Sequence, residues 1–111
     1  MTPPIQKLLV DALMAADSVS EFLKEKTEED FKNDLLLRSA VERQLIAVGE
    51  ALNLASNEKE DLELDIPELW KVIGLRHRLV HGYDLIDDEV IWALAQSNLP
   101  VLTQRLRKLL D

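Results

Sequence analysis

A chain of 111 residues with no cysteine and a formal net charge of −8 can bury a core without covalent staples. It offers no disulfide framework, zinc knuckle or thiol nucleophile. The acidic balance argues against holding nucleic acid by overall charge, and no apolar run nears the ~18–20 residues that span a bilayer. The opening MTPPIQK has no basic leader before an apolar stretch, so no signal peptide, no membrane role and a cytoplasmic location are expected.

Thr2 is placed to cap a first helix with prolines in its opening turn. Ile5, Leu8, Leu9, Ala12, Leu13, Ala16, Val19, Phe22 and Leu23 then recur at helical spacing. In TEED, Thr27 is the next N-cap, with Asp30 at the capping-box position and acids that suit the helix dipole. A second helix is expected over 28–55, carrying Phe31, Leu35, Leu45, Val48 and Leu52. A short acidic connection, 56–65, leads to Pro67 in the first turn of a third helix, whose apolar side reads as Ile66, Leu69, Trp70, Ile73 and Val80. Gly82 is expected as its left-handed stop. Asp87 or Asp88 caps a fourth helix with Ile91, Leu94, Leu99, Leu102, Leu106 and Leu109 in line. Pro100 should kink it by removing a backbone donor. With no strand-like alternation, repeat or low-complexity linker, 1–111 reads as one all-α domain, an up-down four-helix bundle with a kinked last helix.

Charge and chemistry change together along this order. Residues 58–68 hold six acids against Lys59, a net of −5, whereas residues 71–81 hold Lys71, Arg76 and Arg78 with no acid, a net of +3. Both histidines and the only tyrosine of the chain fall within LRHRLVHGYD, 75–84. Taken singly, these residues have ordinary explanations. A histidine near a helix end complements the dipole, Arg78 is a solvated charge, Tyr83 folds back as an apolar cap, and Gly49 marks a close helix–helix approach. Taken together, they require three scarce residue types to coincide by chance.

Two chemistries compete for the cluster. His77 and His81, at i and i+4, could share a face as zinc ligands, with a third ligand from Asp84 or another helix. The glutamate of H-E-x-x-H is missing, however, and Arg76 and Arg78 would repel a cation, so no metal or cofactor is expected. Phosphate chemistry fits better. Arg76 offers a planar fork of donors that matches phosphate oxygens, and histidine exchanges protons near neutrality. Five residues of ideal helix put Arg76 and His81 about 140° apart, so flanking one phosphate needs unwinding near Gly82 or a wide cleft. RNA suits this equipment because its 2′-hydroxyl is the nucleophile. One imidazole cannot accept and donate a proton at once, and a two-fold dimer contributing two copies of His81 is one solution.

Arg76-HRLV-His81-Gly-Tyr83 fits an R-x4-H-x-Y pattern and resembles the HepT-like branch of the HEPN (higher eukaryotes and prokaryotes nucleotide-binding) domains. SAVERQLIAVGEAL, 39–52, is similar to that branch's second-helix block, and DIPELWKVIGLRHRLVHGYDLIDDEVIWAL, 65–94, is similar to its P-x-x-W…R…H-x-Y…V-W region. The resemblance covers nearly the whole chain. It implies an all-α bundle that dimerises, and a metal-independent endoribonuclease toxin paired with a nucleotidyltransferase antitoxin of the MntA type, with higher-order complexes between the two. It implies Arg76 and His81 as the catalytic pair and Tyr83 as the tyrosine to which the antitoxin attaches AMP, adding charge and bulk beside Arg76. One departure is His77, where the branch often has asparagine; a supporting role is expected of it. Glu42 and Arg43 match the branch's E-R block and are expected to orient the site or the dimer. RNA is the expected substrate and no DNA role is expected. The rival expectation is a non-catalytic module that binds a nucleotide or docks the nucleotidyltransferase, which the −8 balance suits slightly better. A plain dimerisation domain leaves the cluster unexplained.

Overall fold

The computed structural model describes residues 3–82 and 86–111. Its elements are α1 (Pro3–Leu23), α2 (Glu28–Asn33), α3 (Leu35–Glu58), α4 (Leu62–Asp65), α5 (Leu69–His81), α6 (Asp88–Ala93), a π turn (Leu94–Asn98) and α7 (Leu99–Leu110). No strand occurs among the described residues, and the helices pack into an all-α bundle. Thr2, the expected first cap, lies outside the described residues.

The capping box at Thr27 forms as expected. The Asp30 amide donates to Thr27 Oγ1 (3.1 Å), and the Thr27 amide donates to the Asp30 carboxylate (2.9 Å). The continuous second helix over 28–55 does not form. Asp34 adopts an extended conformation (φ −120°, ψ 98°) that ends α2, and its carboxylate accepts the Leu37 amide to start α3. A side chain that caps competes with helix continuation, and periodicity alone does not register that. The break leaves Leu35 exposed rather than in the core. Phe22 is likewise on the surface, while the rest of the expected α1 face is buried or half-buried.

The long helices pack around one cluster of buried side chains that draws on every element. Helix α3 lies against both α1 and α5, and α7 lies on α1. Helix α5 runs antiparallel to α3: Val72 and Arg76 meet Gly49, while Leu79 and Gly82 share a cleft with Leu35 and Arg38 from the start of α3. The C-terminal half of α7 is tied to α1 by Arg107 and Asp17 at 2.7 Å.

Helix α5 itself corrects three expectations. Pro67 stands in a turn ahead of it rather than in its first turn. Its buried side is Leu69, Val72 and Leu75, whereas Trp70 (54 % exposed) and Val80 (43 %) face outward. Apolar residues surround this helix, so composition could not say which stripe the core would take. Gly82 is extended (φ −69°, ψ 122°) and not left-handed, yet its amide still closes the last turn on the Arg78 carbonyl at 2.7 Å.

Further on, Asp87 is the residue that caps α6, accepting the Glu89 amide at 3.0 Å. The kink expected at Pro100 takes the form of the π turn before it, in which the Leu99 amide reaches the Leu94 carbonyl. Proline has no N–H for the carbonyl four residues back, and widening the preceding turn redistributes those bonds.

Candidate active site

At position 49 α3 and α5 approach closely. A Cβ built on Gly49 would stand 2.2 Å from Arg76 Cβ, 2.8 Å from Arg76 Cγ and 3.2 Å from the Val72 carbonyl oxygen. Only a residue without a side chain leaves room for the Arg76 stem there. The close approach expected of Gly49 is therefore present, and it seats the motif arginine. Arg76 is half-buried, and its Nε is fully covered with no hydrogen-bond partner among the described residues. A covered, unpaired donor costs on the order of 1–3 kcal/mol, while the Arg76 stem packs against Gly49.

One turn of the same helix carries the imidazoles. The His77 and His81 rings lie 4.8 Å apart between centroids, inclined at 50°, and both residues are exposed. The i, i+4 spacing thus brings the two histidines onto one outward face, as the sequence predicts. It does not bring Arg76 to them. Because α5 stays helical through His81, no unwinding relaxes the ideal separation of about 140°, and Arg76 turns toward α3 while His81 points outward. Tyr83 and Asp84 lie outside the described residues. Among the described residues, no three histidine or acidic side chains gather as a metal site would need.

A cleft of about 580 Å3 opens beside this helix end, lined in part by Arg38, Glu42, Arg78, Gly82 and Asp88. It does not include Arg76, His77 or His81, so it is a neighbour of the motif and not its centre. Half-buried Glu42 sits in it, and burial together with the Asp88 carboxylate holds its carboxyl above the usual range, with Arg38 opposing. Arg43, its neighbour in the E-R block, is exposed. The Arg38–Asp88 pairing (3.8 Å) in the cleft ties α3 to α6, and the Lys32–Glu89 bridge (3.0 Å) ties α2 to α6. Sequence reading did not single out Arg38 or Asp88 for this place; the acids at 87–89 were legible only as caps. No described helix is long and apolar enough to cross a membrane.

An all-α bundle bearing an arginine seated between two helices, and an imidazole five residues on at the helix end, fits the HEPN class that the sequence resembles. The family model described as Ribonuclease HepT-like matches residues 12–109, which takes in Gly49, Arg76, His77, His81 and Tyr83. The chain therefore belongs to the HepT-like ribonuclease family. Among its relatives, a Methanocaldococcus jannaschii protein that bears a provisional RNase name is 31% identical over 103 residues, 92% of this chain and 93% of its own. A Thermococcus cleftensis protein provisionally named ribonuclease HepT is 32% identical over 102 residues, 91% of each chain. A third, from Caldanaerobacter subterraneus and also under a provisional RNase name, is 32% identical over 96 residues, 82% of this chain and 84% of its own. No solved structure matches.

Proposed function

We propose that the protein is a metal-independent endoribonuclease toxin, active as a homodimer and silenced by a nucleotidyltransferase partner that attaches AMP to Tyr83. The observation that carries the reading is the seating of Arg76 on Gly49 in the helix that also presents an exposed imidazole pair, in a chain of the HepT-like ribonuclease family. Arg76 offers a permanent charge and a planar donor fork to the phosphate oxygens as negative charge builds on them. His81 moves protons at the reacting oxygens. The RNA supplies the nucleophile, its own 2′-hydroxyl, so the reaction needs no cofactor. Within one chain Arg76 and His81 diverge around α5, and a two-fold copy of the helix end would close that gap by setting one chain's arginine against the other's imidazole. AMP on Tyr83 would add negative charge and bulk to the motif, opposing the substrate phosphate.

The test is purified protein incubated with RNA in EDTA. Cleavage leaving 2′,3′-cyclic phosphate and 5′-hydroxyl ends is the expected result, and His81→Ala should abolish it with an unchanged melting temperature because the residue is exposed. RNA bound but never cut would instead identify a non-catalytic helical module, the reading that the net charge of −8 favours.

A further inference from the structure

The cleavage chemistry just proposed needs two proton transfers. The 2′-hydroxyl loses its proton to a base as its oxygen bonds to phosphorus; the bond from phosphorus to the 5′-oxygen breaks, and that oxygen takes a proton from an acid. The products are a 2′,3′-cyclic phosphate and a 5′-hydroxyl, and exchange with water returns the two groups to their starting states. A single imidazole serves one of these roles at a time.

The geometry points to His77 as the second proton-transfer group, paired with His81 inside one chain; the inference rests on the ribonuclease reading. These are the only two histidines in the sequence, and the fold sets their rings 4.8 Å apart on one exposed face. Each imidazole nitrogen lies about 1 Å from its ring centre by ordinary covalent geometry. Two rings at this spacing and inclination can therefore address two oxygens of one phosphodiester without any movement of the helix. The rings stand clear of the core, so substrate can reach both. His77 also follows Arg76 directly and lies about 100° around the helix from it, between the arginine and His81 in angular order. The charged groups beside the pair on this helix, Arg76 and Arg78, are both cations and attract the phosphate. A symmetry-related His81 would answer the same chemical need across an interface, and the two solutions differ in what His77 does.

The decisive variant is His77→Asn in the intact protein. Asparagine keeps a polar side chain but cannot exchange a proton, and at an exposed site it should leave the helical circular dichroism unchanged. The expected result is a fall in kcat of roughly 100-fold or more, with affinity for a 2′-O-methyl oligoribonucleotide, which cannot be cut, held within about two-fold. The bell-shaped pH profile of kcat/KM that an acid and a base together produce should lose one limb. Free imidazole should partly restore His77→Ala. Full kcat with both limbs intact in His77→Asn would overturn the inference and hand the second transfer to the partner's copy of the site. Loss of affinity with kcat preserved would overturn it too, making His77 an RNA-holding group. So would a drop in kcat with both limbs kept and no response to imidazole, which would mark a structural role. Wild-type protein that leaves RNA uncut in EDTA would sink the ribonuclease reading itself and this inference with it, whereas cutting by wild type and His77→Asn alike sinks this inference alone.

Discussion

Two effects of opposite sign meet at position 49. Alanine in place of a mid-helix glycine normally stabilises by up to about 1 kcal/mol. Here the new Cβ would lie 2.2 Å from a Cβ fixed to the facing backbone, so the helices must part, and overpacking of that kind costs typically 1–3 kcal/mol. The clash wins. Gly49→Ala should lower stability in urea denaturation by about 1–2 kcal/mol, the difference of the two effects, and should impair RNA cleavage because the Arg76 stem is displaced. A more stable protein with full activity would show that α5 does not rest on this glycine. Glu42 makes a second residue-scale prediction. Its folded carboxyl binds a proton more readily than the unfolded one, so the folded state takes up more protons and stability falls as pH rises through its titration. Glu42→Gln should therefore raise the melting temperature at neutral pH, with the gain shrinking as pH falls through the raised titration of Glu42 and gone once pH is below the ordinary carboxylate value. An equal gain at every pH would assign the effect to something other than ionisation. The identities of both residues could be read in the sequence, within the E-R…G-E-A block; the clash and the raised carboxyl arise from neighbours that only folding supplies.

Among the elements, the helix ends decide the layout. Asp34 ends one helix and begins the next, and this break separates the short α2 from α3. Asp34→Ala removes the cap on the Leu37 amide, and a loss of about 1 kcal/mol is expected, measurable by thermal or urea unfolding. Glu25, between α1 and α2, has φ of 63°, a left-handed conformation that L side chains resist. Glu25→Gly should accordingly stabilise, by on the order of 1 kcal/mol or less once the extra freedom of an unfolded glycine is counted; destabilisation would mean that its side chain contributes more than its backbone conformation costs. Thr27 and Asp87 are caps that the sequence announces, because Ser, Thr and Asp ahead of an acidic first turn have a local physical meaning. Asp34 was less legible, since an aspartate inside a periodic pattern is compatible with either a cap or an exposed helical position. The same limit applies to α5: Leu69, Trp70, Val72, Leu75 and Val80 are all apolar, and the stripe that the core took is Leu69, Val72 and Leu75.

For the whole molecule, the bundle explains how an acidic chain can still attend to a phosphate. Residues 71–81 carry three cations and no acid, and α5 packs that segment against α3. Because a two-fold partner is proposed to complete the site, cleavage per chain should fall on dilution in step with dissociation measured by sedimentation; activity constant across that transition would assign the chemistry to the monomer. The sequence by itself determined the helical class, the caps at Thr27 and ahead of α6, most of the buried face of α1, and the clustering of imidazole, guanidinium and phenol within residues 75–84. These follow from periodicity and local backbone chemistry, which act over a few residues. Only the tertiary structure decided that Gly49 seats Arg76, that Trp70 faces outward, and that the two imidazoles stand together while the arginine turns away toward α3. Those facts depend on which helix faces which, and that is fixed by packing between residues far apart in the chain.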